Sequence, residues 1–170
     1  MKPLDPAALL TRIRLLVFLF IAGLVLSGIT AFPLVHELNL LASWIGADLA
    51  AEEGSFRWWI ARVQEGLVVT NRAYPFLAYG TDWLAFGHLV IAIFFIGAWR
   101  DPVRNVWIFH AGLIACAAVI PLAMIAGAVR GIPLYWRLID CSFGVLGAIP
   151  LWVALRWTRA LERQRAAPQE

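Results

Sequence analysis

The chain has 170 residues, 62% of them hydrophobic and 15% charged, with 14 basic and 11 acidic side chains and a net charge of +3. Soluble domains average about 45–50% apolar and about 25% charged residues, so an ordinary water-soluble domain is excluded. So are a disordered chain, a collagen-like repeat and a disulfide scaffold, since charge is low, Gly and Pro are unperiodic and there are two cysteines.

The first long apolar stretch runs from about Leu15 to Pro33, enough for a hydrocarbon core roughly 30 Å thick, which takes about 17–25 helical residues. It follows Arg12 and Arg14 but outruns the usual apolar core of a signal peptide, and no small-residue cleavage site follows, so it is read as a retained helix. A loop from Leu34 to Asp82 comes next. Within it Leu38 to Ile45 reads as a short, partly immersed helix ended by Gly46, and Asp48, Glu52 and Glu53 as a solvated turn. From Phe56 to Val69 the apolar residues Phe56, Trp59, Ile60, Val63 and Leu67 recur at helical spacing behind Ser55, a suitable N-cap. This amphipathic helix either lies in the membrane interface or packs as a lid across the outer mouth of the bundle.

Three further spans follow, about Trp83–Trp99, Val106–Val129 and Leu138–Leu155, and a tail from Arg156 to Glu170. Helices are the default, because unpaired backbone groups in lipid cost several kcal/mol each and the alternating strands of a barrel are missing. The expected fold is thus all-α, a four-transmembrane-helix bundle forming one integral membrane domain, with an amphipathic interfacial helix in the first outer loop. In the turn between the second and third spans, Asp101 is expected to pair with Arg104 or to cap the third helix. Small-residue stripes suited to close packing run through Gly23, Ser27 and Ala31, through Ala111, Ala115 and Ala118, and through Asp140, Gly144 and Ala148. Pro121 and Pro150 interrupt the last two spans.

Orientation follows from the basic residues. With the N-terminus inside, nine Lys and Arg side chains fall on the inner side and five on the outer. Both termini are therefore expected in the cytoplasm, and the basic inner face suits anionic lipid. Nucleic acid is not an expected partner.

Ionisable groups near the membrane are costly, so each is a candidate for function. His36, Asp82, His88, Arg130, Tyr135, Arg137 and Asp140 all fall at the outer ends of the spans and are the predicted ligand-binding set. Asp82 and Asp140 could alternatively cap their helices. Asp140 is expected to pair with Arg130 or Arg137, with His88 as the titrating contact. His36 and His88 are the two histidines that share a depth for haem, while His110 belongs to the other side. His36-Glu37 is not an HExxH zinc motif, since residue 40 is leucine, and no metal site is assigned. The sequence names no cofactor, and it has no P-loop, nucleophile elbow or Gly-rich nucleotide loop.

The blocks PFLAYGTDWLAFGHLVIA, WRDPVRNVWIFHAGLIAC and RGIPLYWRLIDCSFGVLGAIPLW resemble those of a group of small bacterial four-helix integral membrane proteins. The resemblance covers about Pro75 to Trp152; it implies the bundle and the bacterial inner membrane, and brings no activity with it. The general plan also resembles that of the emopamil-binding group of sterol-binding proteins. The leading expectation is an outer-facing polar pocket that binds a small or lipophilic molecule. The alternatives are a membrane enzyme using Asp140 or Asp82 with His88 as acid and base, and a non-catalytic subunit whose partner is a second copy or another membrane protein.

Overall fold

The computed structural model describes residues 5–166, which contain helices and no strand. The helices are α1 (Pro6–Ala31), α2 (Leu34–Ile45), α3 (Phe56–Ala73), α4 (Tyr79–Arg100), α5 (Val106–Val129) and α6 (Leu134–Ala166), with a 3-10 turn at Pro75–Ala78 before α4. Four of them, α1, α4 with its preceding turn, α5 and α6, are long and apolar enough to cross a bilayer. Only 6% to 28% of the most apolar stretch of each is buried within the protein. Leu122, Ile125, Phe143 and Leu146 are 63% to 68% exposed, a surface that suits lipid and not water. The protein is an integral, multi-pass membrane protein.

Helix boundaries follow local chemistry. α1 begins nine residues before the apolar run because Asp5 and Pro6 form a start signal: the Asp5 carboxylate accepts from the Ala8 amide at 3.4 Å, and proline fixes the first helical residue. Ser55 caps α3 as its position suggested, accepting from the Trp58 amide at 3.3 Å. α6 extends through the expected tail to Ala166, and residues 167–170 lie outside the described range.

The described residues form two compact units, one of residues up to Gly23 with those from Ala92 onward, the other Leu24–Ile91. In the contiguous unit, α2 and α3 pack together and bury Ala42, Ile60 and Ala61. Part of the apolar face of the amphipathic helix, Ile60 above all, thus meets protein, since α3 contacts both α2 and the 3-10 turn, while Phe56 stays exposed. Gly46, at φ +62°, ends α2, with the Ala47 amide returning to the Ala42 carbonyl at 2.8 Å. The end of α1 meets the start of α4 at buried Gly28, where a Cβ would lie 2.9 Å from the Ala85 carbonyl oxygen.

The other unit is centred on α5 against α6. A Cβ on Gly144 would come within 2.5 Å of the Cys116 carbonyl oxygen, and one on Gly112 within 2.8 Å of Leu151. Ile13, Val17, Phe109, Leu151 and Leu161 form its core, and the rings of Phe20 and Phe95 lie 4.7 Å apart. Its helix ends are closed by side chains: Arg14 donates to the Trp99 and Arg100 carbonyls at 3.1 Å each, and Asn105 to those of Gly97 and Asp101. Asp101 braces the turn, accepting from the Arg104 amide at 3.2 Å, and does not cap α5.

Of the three expected small-residue stripes, the one through Gly144 is the packing face. On α1 the close contact is made by Gly28 while Gly23 and Ser27 are exposed, and on α5 Ala115 and Ala118 are exposed while Gly112 and Cys116 meet their neighbours. Periodicity identifies a smooth stripe but not which stripe finds a partner. Replacing Gly144 with Ala should therefore cost about 1–3 kcal/mol, since the clashing atom is backbone. Gly66→Ala on open α3 surface should be neutral or stabilising by up to about 1 kcal/mol, and thermal unfolding in detergent compares the two.

Candidate functional site

Of the seven residues expected to bind ligand, His36, Asp82 and His88 belong to the contiguous unit and Arg130, Tyr135, Arg137 and Asp140 to the other. The first group contains a cavity of about 510 Å³, and His36 and Asp82 both line it. The chain turns at Pro33 and restarts as α2 at Leu34, which sets His36 in the first turn of that helix. The 3-10 turn opened by Pro75 delivers Asp82 to the first turn of α4, inside the helix and not at its cap. Asn39, Thr70, Asn71 and Thr81 supply the remaining polar lining, and Phe32, Leu34, Leu67 and Leu77 much of the apolar wall. His36 is exposed and Asp82 half-buried, and among the described residues neither side chain has a hydrogen-bond or ion-pair partner.

The cavity walls are held by two contacts. Gln64 on α3 donates to the Asn39 side chain on α2 at 2.9 Å, and the Arg57 guanidinium donates to the Gly46 carbonyl at 2.7 Å. The second places a cation on the carbonyl end of α2, where the helix dipole favours it. His88 is outside the cavity lining: its Nδ1 donates to the Leu84 carbonyl at 2.9 Å, and its Cβ rests where Gly28 leaves room.

In the other unit, Arg130 is exposed at the end of α5, and the turn beyond it is closed by Gly131 at φ +69° with the Ile132 amide on the Gly127 carbonyl at 2.9 Å. Tyr135 is half-buried in the first turn of α6. Arg137 lies across buried Gly127, whose missing side chain makes the room, and donates through Nη1 to the Met124 carbonyl at 3.2 Å. Its Nε is buried and has no hydrogen-bond partner among the described residues. Asp140 is half-buried nearly two turns into α6, too far from the helix start to cap it. The expected ion pair of Asp140 with Arg130 or Arg137 is not formed among the described residues, because the Arg137 side chain is drawn along α5 towards a backbone oxygen. Cys116 and Cys141 are free thiols.

Sequence reading missed one polar contact entirely. His110 on α5 and Arg159 on α6 meet at 2.9 Å between Nε2 and Nη2, while His110 Nδ1 lies 3.0 Å from the Val106 carbonyl. A carbonyl only accepts and a guanidinium only donates, so one tautomer serves both partners, with the proton on Nδ1 and the lone pair on Nε2. Continuing the α6 helix past Leu155 on its periodicity would have set Arg159 opposite His110. Among the described residues no group of three or more His, Cys, Asp or Glu side chains is placed to hold a metal ion.

Compared with known protein families, characterised proteins and solved structures, the chain shows no match. Its geometry alone therefore carries the functional reading. Arg57→Ala would leave the Gly46 carbonyl without its charged donor, at a cost of about 1–2 kcal/mol, and faster amide exchange over Ala42–Ala47 is the expected readout.

Proposed function

We propose that the protein binds a small amphiphilic molecule, one with an apolar body and a head that donates hydrogen bonds, in the cavity lined by His36 and Asp82. The observation that carries this reading is the Asp82 carboxylate, half-buried and, among the described residues, without a partner, at a cavity whose walls are rich in apolar side chains. An ionised carboxylate accepts and cannot donate, so a hydroxyl or ammonium head is its chemical complement there. His36 and Asn39 add polar contacts that fix orientation, and the volume falls within the range of about 300–1,000 Å³ usual for small-molecule sites. Of the seven residues expected to bind ligand, His36 and Asp82 line this cavity.

The test is a thermal-shift series on the purified protein with single-chain amphiphiles that differ only in carrying an alcohol, amine or carboxylate head. Alcohol and amine should stabilise and carboxylate should not. Asp82→Asn and His36→Ala should each weaken the effect about tenfold or more in concentration. A shift that persists unchanged in both variants refutes the site.

We further propose that the protein resides in a bacterial inner membrane with both termini in the cytoplasm, as one of the small four-helix membrane proteins its sequence blocks resemble. The excess of Lys and Arg on the side of the termini supports the orientation. In a cysteine-free background, a membrane-impermeant thiol reagent applied to spheroplasts should label Glu53→Cys and leave Glu162→Cys, also exposed, unlabelled until the membrane is opened. The reverse pattern would invert the topology.

A further inference from the structure

Trp152, Arg156, Arg159 and Arg163 recur on α6 at three- and four-residue steps, so at 3.6 residues per turn they share a stripe about 60° wide. All four are exposed. The Arg156 guanidinium stacks 4.9 Å from the centre of the Trp152 ring, and Arg163 folds back to donate to the Arg159 carbonyl at 3.2 Å. Arg159 is held by the His110 imidazole, a neutral base and not an acid. Among the described residues none of the three arginines has a carboxylate within ion-pair distance.

Like charges at these spacings repel, yet the stripe positions them together with no carboxylate paired to them among the described residues. His110 takes one of the five guanidinium N–H donors of Arg159 and fixes the plane of the rest, leaving a fork suited to two oxygens of one phosphate. Position along α6 favours a lipid headgroup as the source of such a phosphate. The stripe lies where the apolar part of α6 gives way to its charged end, and Trp152 and, on α5, Trp107 are exposed there as interfacial aromatics are.

We propose that this end of α5 and α6 is a binding site for the phosphodiester headgroup of an anionic phospholipid. Arg156 and Arg159 hold the phosphate oxygens, Arg163 adds to the local positive potential, and His110 is a positioning residue acting through Arg159. The acyl chains lie along the exposed apolar surface of the two helices, with Trp107 and Trp152 at the level of the glycerol.

The full chain in neutral detergent is exposed to an equimolar mixture of phosphatidylglycerol and phosphatidylcholine with identical acyl chains, repurified, and its bound lipid quantified by mass spectrometry. Phosphatidylglycerol should be retained in clear excess, and the excess should shrink by about fivefold for each of Arg156→Gln and Arg159→Gln. Arg62→Gln, a surface arginine of the other unit, should leave it unchanged. His110→Ala should reduce the preference while Arg159 is still present, which a purely additive charge effect would not do. If the glutamine variants do not fold, raising the salt concentration with the unaltered protein should erode the preference, as screening requires. Equal retention of the two lipids, or a preference indifferent to salt or to the folded arginine variants, overturns the proposal. Loss of bound phosphatidylglycerol to millimolar inorganic phosphate also overturns it, since the site would then take a free anion.

Discussion

Hydrocarbon gives a backbone carbonyl nothing to bind and gives two helices no hydrophobic drive towards each other, so association depends on how closely their backbones approach. Gly144 against the Cys116 carbonyl provides that approach between α5 and α6, and Gly28 against Ala85 provides it between α1 and α4. Each glycine is buried, and each faces a carbonyl oxygen that a methyl group would strike. The large apolar side chains on the other faces remain free for lipid.

The same shortage of polar partners decides where the cations go. Arg14, Arg57 and Arg137 all donate to backbone carbonyls, and among the described residues the one ion pair, Arg62 with Glu65, lies on an exposed face of α3. Backbone carbonyls are fixed acceptors that require no second charged group to be desolvated, so they satisfy a guanidinium at less cost than a carboxylate would. The acids are left over as a result. Among the described residues neither Asp82 nor Asp140 is paired with a cation, and of these Asp82 opens on a cavity.

Much of the fold is legible in the sequence. The α5 bounds follow directly from its unbroken apolar run between Asn105 and Arg130, and the cap at Ser55 and the stop at Gly46 are local signals read correctly. Polar helical extensions are harder, because a hydropathy argument stops where apolarity stops: Pro6–Arg14 and Arg156–Ala166 are helical through capping and a buried stripe that includes Leu9, Ile13, Thr158 and Leu161. The site is less legible. Sequence depth grouped seven polar residues by helix end, but side-chain direction decides whom each meets, and Arg137 and His88 both turn to backbone oxygens. The face of a helix that packs is likewise a property of the pair: Gly23 and Gly28 look alike in sequence, and one is open while the other is filled.

The division of the chain into one continuous and one interrupted unit bears on how it is made. Residues Leu24–Ile91 emerge from the ribosome as a single stretch, and the side-chain contact between α2 and α3, Asn39 with Gln64, spans 25 residues. The interrupted unit joins residues near the N-terminus to partners beyond Ala92, such as Arg14 to the carbonyl of Arg100, a separation of 86 residues. Closing so distant a contact carries the larger entropic cost and is slow for that reason. The cavity-bearing stretch is thus fully synthesised before α5 begins, whereas the unit that carries the arginine stripe can close only after α6 has been made.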